Sequence, residues 1–419
     1  MRGGAIPISS TRSGILIPMH VALVSPGWPP EKFTNGIVTY VRWMREELLL
    51  SGHTVTVLAH RLETVEPGVH LVRRGRLDRL RDWATDRPSA SAQGVGGFGA
   101  VLAGAIKAVD RASPIDIVEM EETFGWAADV ARLTRIPIVM KLHGPACMTL
   151  LESERRTEAG EARIANEGEA LRRVQGITAP SRTTLDSTLA FYGVQPRLAV
   201  HVVNPLTLPK SAPLWQIERC DPRVILFVGR FDDLKGADVV LHAFARVLTT
   251  HPNIRLVFVG PDNGVSGPDG RMMHFHEFTS GLFPGRSLDQ IRFLGTVPPD
   301  EINRLRVQAL VTIVASRWEN QSYTTLEAML QGCPLVSSDA GGQVEIVEDG
   351  VTGLLARSGS AVDLAEKLLS LIDRPKWAAA LGAKARAYVL DRHRPQRVVE
   401  ETLRVYTAAI RLKRPAEVE

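Results

Sequence analysis

Short apolar segments alternate with amphipathic segments of ten or more residues along most of this 419-residue chain. One series runs from HVALVSP (20–26) to LAVHVVNP (198–205), and a second runs from RVILFVGR (223–230) to GLLAR (353–357). Short strands that alternate with helices are typical of a parallel sheet covered by helices on both faces. The sequence therefore predicts an α/β protein with two doubly wound sheets in tandem.

A proline-rich segment without periodicity, PLTLPKSAPLWQIERCDP (205–222), separates the two series. Ligands of doubly wound sheets bind outside the carboxyl ends of the strands, so we expect a site in the cleft between the domains. Residues 262–289 have no regular pattern, and we interpret them as an irregular loop or insertion. The predicted division is an N-terminal tail (1–17), a first domain (18–206), a linker (207–221), a second domain (222–392) and a terminal segment (393–419).

Composition and charge narrow the classes of function. No apolar run approaches the roughly 18 to 20 residues that a membrane-spanning helix needs, and the three scattered cysteines fit reduced thiols, so we predict a cytoplasmic protein. The net charge of +4 is small for a nucleic-acid-binding protein, and we predict no nucleic-acid partner. The segment 72–83 carries five arginines. It is either a solvated helix face or a surface for peripheral contact with an anionic membrane.

The segment FVGRFDDLKGAD (227–238) is the clearest candidate for an anion site. Gly229 ends a predicted strand, Arg230 follows it, and Lys235 begins the next helix. Arginine offers a rigid fork to phosphate oxygens, lysine offers a mobile charge, and a helix start offers free N–H groups. Cations at helix ends are also common on surfaces. A second turn, Gly341-Gly342, is expected to let backbone amides approach the same ligand.

The segment SRWENQSYTTLEAMLQG (316–332) places Glu319 and Glu327 with seven residues between them. A helix that begins near Ser322 provides another anion site at its N-terminus. Carboxylates repel phosphate but accept hydrogen bonds from hydroxyls, so Glu327 suits a ribose diol and Glu319 suits a second sugar. Together these features indicate a nucleoside diphosphate sugar. A glycoside hydrolase would also use two carboxylates, but it would not need the cationic segment.

These segments, together with FLGTVP and the APS…VVNP region, resemble the retaining glycosyltransferases of family 4. The resemblance implies GT-B architecture, in which an acceptor-side first domain and a nucleotide-sugar-binding second domain, both Rossmann-like, face each other across a cleft. It also implies that the C-terminal helix (393–419) crosses back to the first domain. It implies transfer of a hexose-type sugar from a nucleoside diphosphate sugar, most simply a UDP- or GDP-sugar, to an acceptor hydroxyl on a glycan, a lipid-linked or a small molecule. No metal or other cofactor is expected. The alternatives are a phosphorylase or epimerase of the same architecture, or a catalytically silent nucleotide-sugar-binding protein.

The resemblance also implies roles for individual residues. Catalytic roles fall to Arg230, Lys235, Glu319 and His143, of which His143 would approach the transferred sugar. Glu121 and Glu122 end a predicted strand that faces the same cleft, where they would bind acceptor hydroxyls or form a solvated acidic turn. The remaining substrate contacts are implied at Asn35, Gly36, Gly229, Gly295, Thr296, Val297, Asn320, Gln321, Ser322, Tyr323, Thr324 and Glu327.

Overall fold

The first half of the chain forms a parallel sheet of seven strands. The computed structural model describes residues 17–33, 35–73, 97–150, 152–209, 211–267, 269–283 and 288–413. Within these residues the sheet has the order β3-β2-β1-β4-β5-β6-β7, and every strand pair in it is parallel. Its strands are β1 (His20–Ser25), β2 (Thr54–Ala59), β3 (Val69–Leu71), β4 (Ile117–Glu121), β5 (Ile138–Lys141), β6 (Gly176–Ala179) and β7 (Ala199–His201).

Helices connect these strands on both faces. Three of them, Phe98–Ala112, Ala146–Thr149 and Arg182–Tyr192, were not predicted from the sequence. Polar residues cap the helix starts: the Asn35 side chain accepts from Ile37 N at 2.8 Å, and that of Ser181 accepts from Thr184 N at 3.2 Å. The helices are α1 (Gly36–Leu50), α2 (Phe98–Ala112), α3 (Ala127–Leu133), α4 (Ala146–Thr149), α5 (Glu152–Arg155), α6 (Glu158–Arg173) and α7 (Arg182–Tyr192).

The second half forms a parallel sheet of six strands in the order β13-β10-β8-β14-β15-β16. These strands are β8 (Asp221–Val228), β10 (Arg255–Val259), β13 (Ile291–Phe293), β14 (Ala309–Val314), β15 (Leu335–Ser338) and β16 (Leu354–Ala356). The helices are α8 (Ala237–Thr250), α9 (Phe275–Leu282), α10 (Pro299–Gln308), α11 (Tyr323–Gln331), α12 (Ala361–Ile372), α13 (Pro375–Arg392) and α14 (Pro395–Lys413). Two doubly wound parallel sheets confirm the predicted fold class.

The region predicted as an irregular insertion is partly regular, and this part of the prediction is wrong. Strands β9 (Phe231–Asp232), β11 (Asp262–Ser266) and β12 (Met272–Met273) form a small third sheet, followed by α9. Phe275 anchors the region, because its ring stacks on Phe293 with centroids 4.2 Å apart. Strands β9 and β12 have two residues each and are too short to show an alternating pattern in the sequence.

Helix α14 returns to the first domain, as the resemblance implied. Its apolar face packs in the same core as α1 and the first strands. Gln396 Nε2 also donates to Glu47 Oε2 at 2.9 Å. The buried residues of α14 in this core are Val398, Val399, Leu403, Val405, Tyr406 and Ala409. The predicted domain boundaries stay a prediction, although β8 already begins at Asp221, inside the predicted linker.

The segment 72–83 was interpreted either as a solvated helix face or as a surface for membrane contact. Its residues 74–83 lie outside the described part of the chain. Within the part of the chain that the structure describes, no helix combines the length and the apolar character needed to cross a membrane.

Candidate active site

The carboxyl ends of the two parallel sheets enclose a cavity of about 490 Å³. From the first domain, His143 follows β5 and Asn35 begins α1; from the second, Gly229 ends β8 and Glu319 follows β14. Of the residues implied by the resemblance, the cavity lining includes Asn35, Gly36, Glu122, His143, Gly229, Arg230, Lys235, Thr296, Val297, Glu319, Asn320, Gln321, Ser322, Tyr323 and Thr324. The structure thus brings together segments that lie almost 290 residues apart in the chain.

Arg230 and Lys235 form the cationic part of the cavity. Both donate hydrogen bonds to Asp232, which lies in the loop between them. Arg230 Nε donates to Asp232 Oδ2, and Lys235 N donates to Asp232 Oδ1 at 2.8 Å. The Arg230 side chain remains 43% exposed, so its guanidinium is open to a ligand. Asp232 therefore links the Arg230 side chain to the backbone at Lys235.

Gly236, which follows Lys235, allows this loop to lie close to the backbone just after β14. Its φ of +67° is a left-handed conformation, and a Cβ at this position would lie 2.0 Å from Ala315 O. Glycine is required on both grounds. The result is a salt bridge across the cavity, because Lys235 Nζ donates to Glu319 Oε1. Ser316 Oγ donates to the same carboxylate oxygen at 2.8 Å.

The start of helix α11 provides a second electropositive element. Ser322 precedes this helix and makes no capping hydrogen bond with its side chain. The amides of the first turn are therefore left without that partner, and the helix dipole adds positive potential at the same end. Ser322, Tyr323 and Thr324 line the cavity that contains Arg230 and Lys235.

His143 is half-buried on the opposite wall, and desolvation of its ring together with the Lys141 charge lowers its pKa to about 3. The imidazole is therefore neutral at physiological pH and can exchange hydrogen bonds with a sugar without carrying charge. Glu122 holds this loop, because its carboxylate accepts from His143 N at 2.9 Å and from Gly144 N at 2.6 Å. Burial raises the pKa of Glu122 to about 7.

Three of the implied residues do not line this cavity. Glu121 is 4% exposed and points into the first domain, where a void of about 10 Å³ lies between it, Glu119 and Lys141. Gly295 contacts a residue of the lining instead. Its carbonyl accepts a hydrogen bond from the N–H of Gly260, which lines the cavity, at 2.9 Å. Glu327 lines an adjoining cavity of about 920 Å³, which shares Thr296, Val297 and Tyr323 with the first.

Asn320 and Gln321 connect the two domains, a role that the sequence did not reveal. Asn320 Nδ2 donates to Leu142 O at 2.9 Å, and Ser181 Oγ donates to Asn320 Oδ1 at 2.8 Å. Gln321 Nε2 donates to Pro180 O at 2.9 Å, and its Oε1 accepts from Asn204 N at 2.7 Å. The APS…VVNP segment carries three of these four partners, Pro180, Ser181 and Asn204, but nothing in its pattern indicated their contacts.

The Gly341-Gly342 turn packs against the site rather than lining it. Gly342 N donates to Glu319 O at 2.8 Å, and Cβ atoms at Gly341 and Gly342 would lie 2.1 Å from Glu319 O and 1.9 Å from Asn320 O. The expectation that this turn approaches the ligand is therefore corrected. The glycines allow a close approach to the 319–320 loop instead.

No group of three or more metal-ligating side chains is found among the described residues. The expectation that no metal is required stays a prediction.

Family models match both halves of the chain. The model described as "Glycosyl transferase 4-like domain" matches residues 35–205, and that described as "Glycosyl transferases group 1" matches residues 216–388. The chain belongs to the group 1 glycosyl transferases. The cavity lies where the two matched regions meet.

Relatives of this group 1 chain include curated bacterial proteins. A D-inositol 3-phosphate glycosyltransferase from Streptosporangium roseum is 30% identical over 273 residues, which cover 62% of this chain and 61% of the relative. Spore coat protein SA from Bacillus subtilis is 29% identical over 187 residues, covering 44% of this chain and 48% of the relative. The matches thus span about half to three fifths of these relatives.

Solved structures share the GT-B fold. Sucrose-phosphate synthase from Thermosynechococcus elongatus superposes with a TM-score of 0.70 at 19% identity, covering 93% of this chain and 98% of that one. Anabaena HepE, solved with UDP-glucose, gives a TM-score of 0.65 at 18% identity, covering 92% of this chain and 99% of that one. At such identities the likeness establishes the fold.

Proposed function

We propose that this group 1 glycosyl transferase moves a hexose-type sugar from a nucleoside diphosphate sugar to an acceptor hydroxyl, with retention of the anomeric configuration. The observation that carries the proposal is the shared cavity, in which Arg230, Lys235 and the start of α11 converge from separate segments. A pyrophosphate bound there meets two cations and a helix N-terminus. The donor is a UDP- or GDP-sugar.

The proposed reaction breaks the bond between the anomeric carbon and the donor phosphate. Negative charge then develops on the leaving diphosphate, and Arg230 and Lys235 stabilise it. One preorganised group of this kind contributes about 3 kcal/mol to transition-state stabilisation. A pyrophosphate bound at Lys235 would compete with Glu319, which holds the lysine now and is thereby freed for the donor-sugar hydroxyls.

On the acceptor side of the cavity, His143 and Glu122 act together. The neutral imidazole of His143 contacts the transferred sugar, and Glu122 fixes the backbone that carries it. The acceptor hydroxyl attacks from the face that the diphosphate leaves. A diphosphate oxygen accepts the proton of this hydroxyl, so no protein base is required.

The test is a panel of UDP-, GDP- and ADP-sugars, first for binding by thermal shift and then for transfer to simple sugar and polyol acceptors. We expect at least one nucleoside diphosphate to raise the unfolding temperature. We further expect its sugar to be transferred with retention, read by NMR of the product anomer. Inversion would refute the retaining mechanism. Turnover only with free phosphate would favour a phosphorylase, and binding without turnover in every arm would favour a silent binding protein.

A further inference from the structure

Beside the proposed pyrophosphate site, a buried arginine contacts the second acid of the pair Glu319 and Glu327. Arg306 lies on α10, and its Nη2 donates to Glu327 Oε2 on α11. The Arg306 side chain is 2% exposed and that of Glu327 is 31% exposed. Both residues line the cavity of about 920 Å³ that adjoins the pyrophosphate site.

Neutral side chains hold the guanidinium in one orientation. Arg306 Nη1 donates to Asn303 Oδ1 at 3.3 Å and to Gln331 Oε1 at 3.5 Å. Gln331 is itself fixed, because its Nε2 donates to Asn303 O at 3.0 Å and to Pro213 O at 3.1 Å. The arginine fork therefore offers Nη2 to Glu327 from a rigid position.

The ion pair uses one of the two carboxylate oxygens of Glu327 and leaves the other for a ligand. Arg306 engages Oε2, which leaves Oε1 free of this contact on a side chain that lines the cavity. An ionised carboxylate only accepts hydrogen bonds, so its natural partner in a cavity is a hydroxyl. A buried cation also needs a nearby anion, and this attraction holds the Glu327 carboxylate in place.

We propose that Arg306 is a positioning residue that holds Glu327 to receive the ribose diol of the donor and thereby makes the enzyme selective for ribonucleotides. The inference rests on the proposed function, which supplies the nucleoside. Arg306 acts through Glu327 rather than by touching the ligand. The selectivity for the 2′-hydroxyl therefore depends on an arginine of a different helix.

The test compares UDP with 2′-deoxy-UDP, or ADP and GDP with their deoxy forms if the wild type prefers another base. Dissociation constants are measured by calorimetry for the wild type, for Arg306→Met and for Arg306→Lys. Arg304→Met is the matched control, because Arg304 lies on the same helix but is exposed and pairs with Glu301. Arg306→Lys keeps the charge but loses the planar fork, and it serves if Arg306→Met does not fold.

We expect the wild type and Arg304→Met to bind the ribonucleotide about tenfold more tightly than the deoxynucleotide, as for a hydrogen bond to a charged group. In both Arg306 variants this ratio should fall to about threefold or less, while affinity for the deoxynucleotide stays near that of the wild type. An equal loss for both ligands would assign Arg306 a merely structural role and overturn the inference. If the wild type binds no nucleoside diphosphate, it is the proposed function that fails.

Discussion

At the residue scale, each of the two cations of the cavity pairs with a carboxylate: Arg230 pairs with Asp232, and Lys235 pairs with Glu319. Arg230 and Lys235 were predicted from a segment of twelve residues, because a strand end, two cations and a helix start are local features. Their carboxylate partners differ in this respect. Asp232 lies within the same segment, whereas Glu319 is 84 residues from Lys235. The salt bridge therefore depends on the order of the strands in the second sheet.

Glu121 ends strand β4 but does not line the cavity. The sequence placed it beside Glu122 at the carboxyl end of β4, but successive residues of a strand point to opposite faces. Glu122 reaches the cavity, and Glu121 is buried in the first domain. Its Oε2 has no hydrogen-bond partner within the described structure, and burial raises its pKa from 4.5 to about 8.

This burial predicts a dependence of stability on pH. Between pH 4.5 and 8 the folded protein retains the Glu121 proton, whereas the unfolded chain loses it. The contribution to stability is thus fully present below pH 4.5 and is lost as the pH rises through 8, by up to about 1.4 kcal/mol per pH unit. Glu121→Gln should flatten this decline in urea unfolding at pH 5 to 8, although Glu122 leaves a residual slope.

Glu46→Gln is the control for this measurement, because Glu46 belongs to the same domain and its side chain is 44% exposed. It should unfold with the pH dependence of the wild type. If Glu121→Gln did the same, Glu121 would not be held protonated by burial.

At the element scale, the loop between β14 and α11 does more than the resemblance implied. Its segment Asn320 to Thr324 was expected to contact the substrate. The structure leaves the start of α11 open to the cavity, but it uses the side chains of Asn320 and Gln321 to join the domains. Their partners lie 117 to 178 residues away in the chain, so no local pattern could identify them.

A second connection between the domains lies outside the cavity. Glu345 accepts from Arg182 N at 2.9 Å and from Thr183 N at 2.7 Å, at the start of α7. A carboxylate at this position also interacts favourably with the helix dipole. Two separate sets of hydrogen bonds thus hold the domains in the arrangement that forms the cavity.

These connections predict that closure of the domains supports donor binding. Gln321→Ala removes two hydrogen bonds between the domains and should raise the donor KM by about thirtyfold, at about 1 kcal/mol for each bond. Glu345→Ala cuts the second connection without altering the lining of the cavity, and it should also raise KM. Both variants should give a larger radius of gyration in small-angle scattering. Unchanged scattering and KM in Glu345→Ala would show that Gln321 acts only locally.

At the scale of the whole molecule, the sequence predicted the architecture well because its signal is repeated. Two series of strands and helices and a proline-rich break are visible in the order of the residues, whereas the return of the terminal helix was implied by the family resemblance. The small sheet of β9, β11 and β12 was missed, since two-residue strands such as Phe231–Asp232 carry no pattern. The chain order also could not reveal the Arg306–Glu327 pair, which depends on how α10 packs beside α11.

The proposed reaction requires Arg230, Lys235 and the start of α11 to act together on one leaving pyrophosphate. The most direct measurement is the turnover of sugar transfer by Arg230→Ala under donor saturation. The control is Arg223→Ala, which removes an exposed arginine of the same strand β8 that pairs with Asp221. We predict a loss of about 10²-fold or more for Arg230→Ala and near-normal turnover for the control. Near-normal turnover of Arg230→Ala would contradict this mechanism.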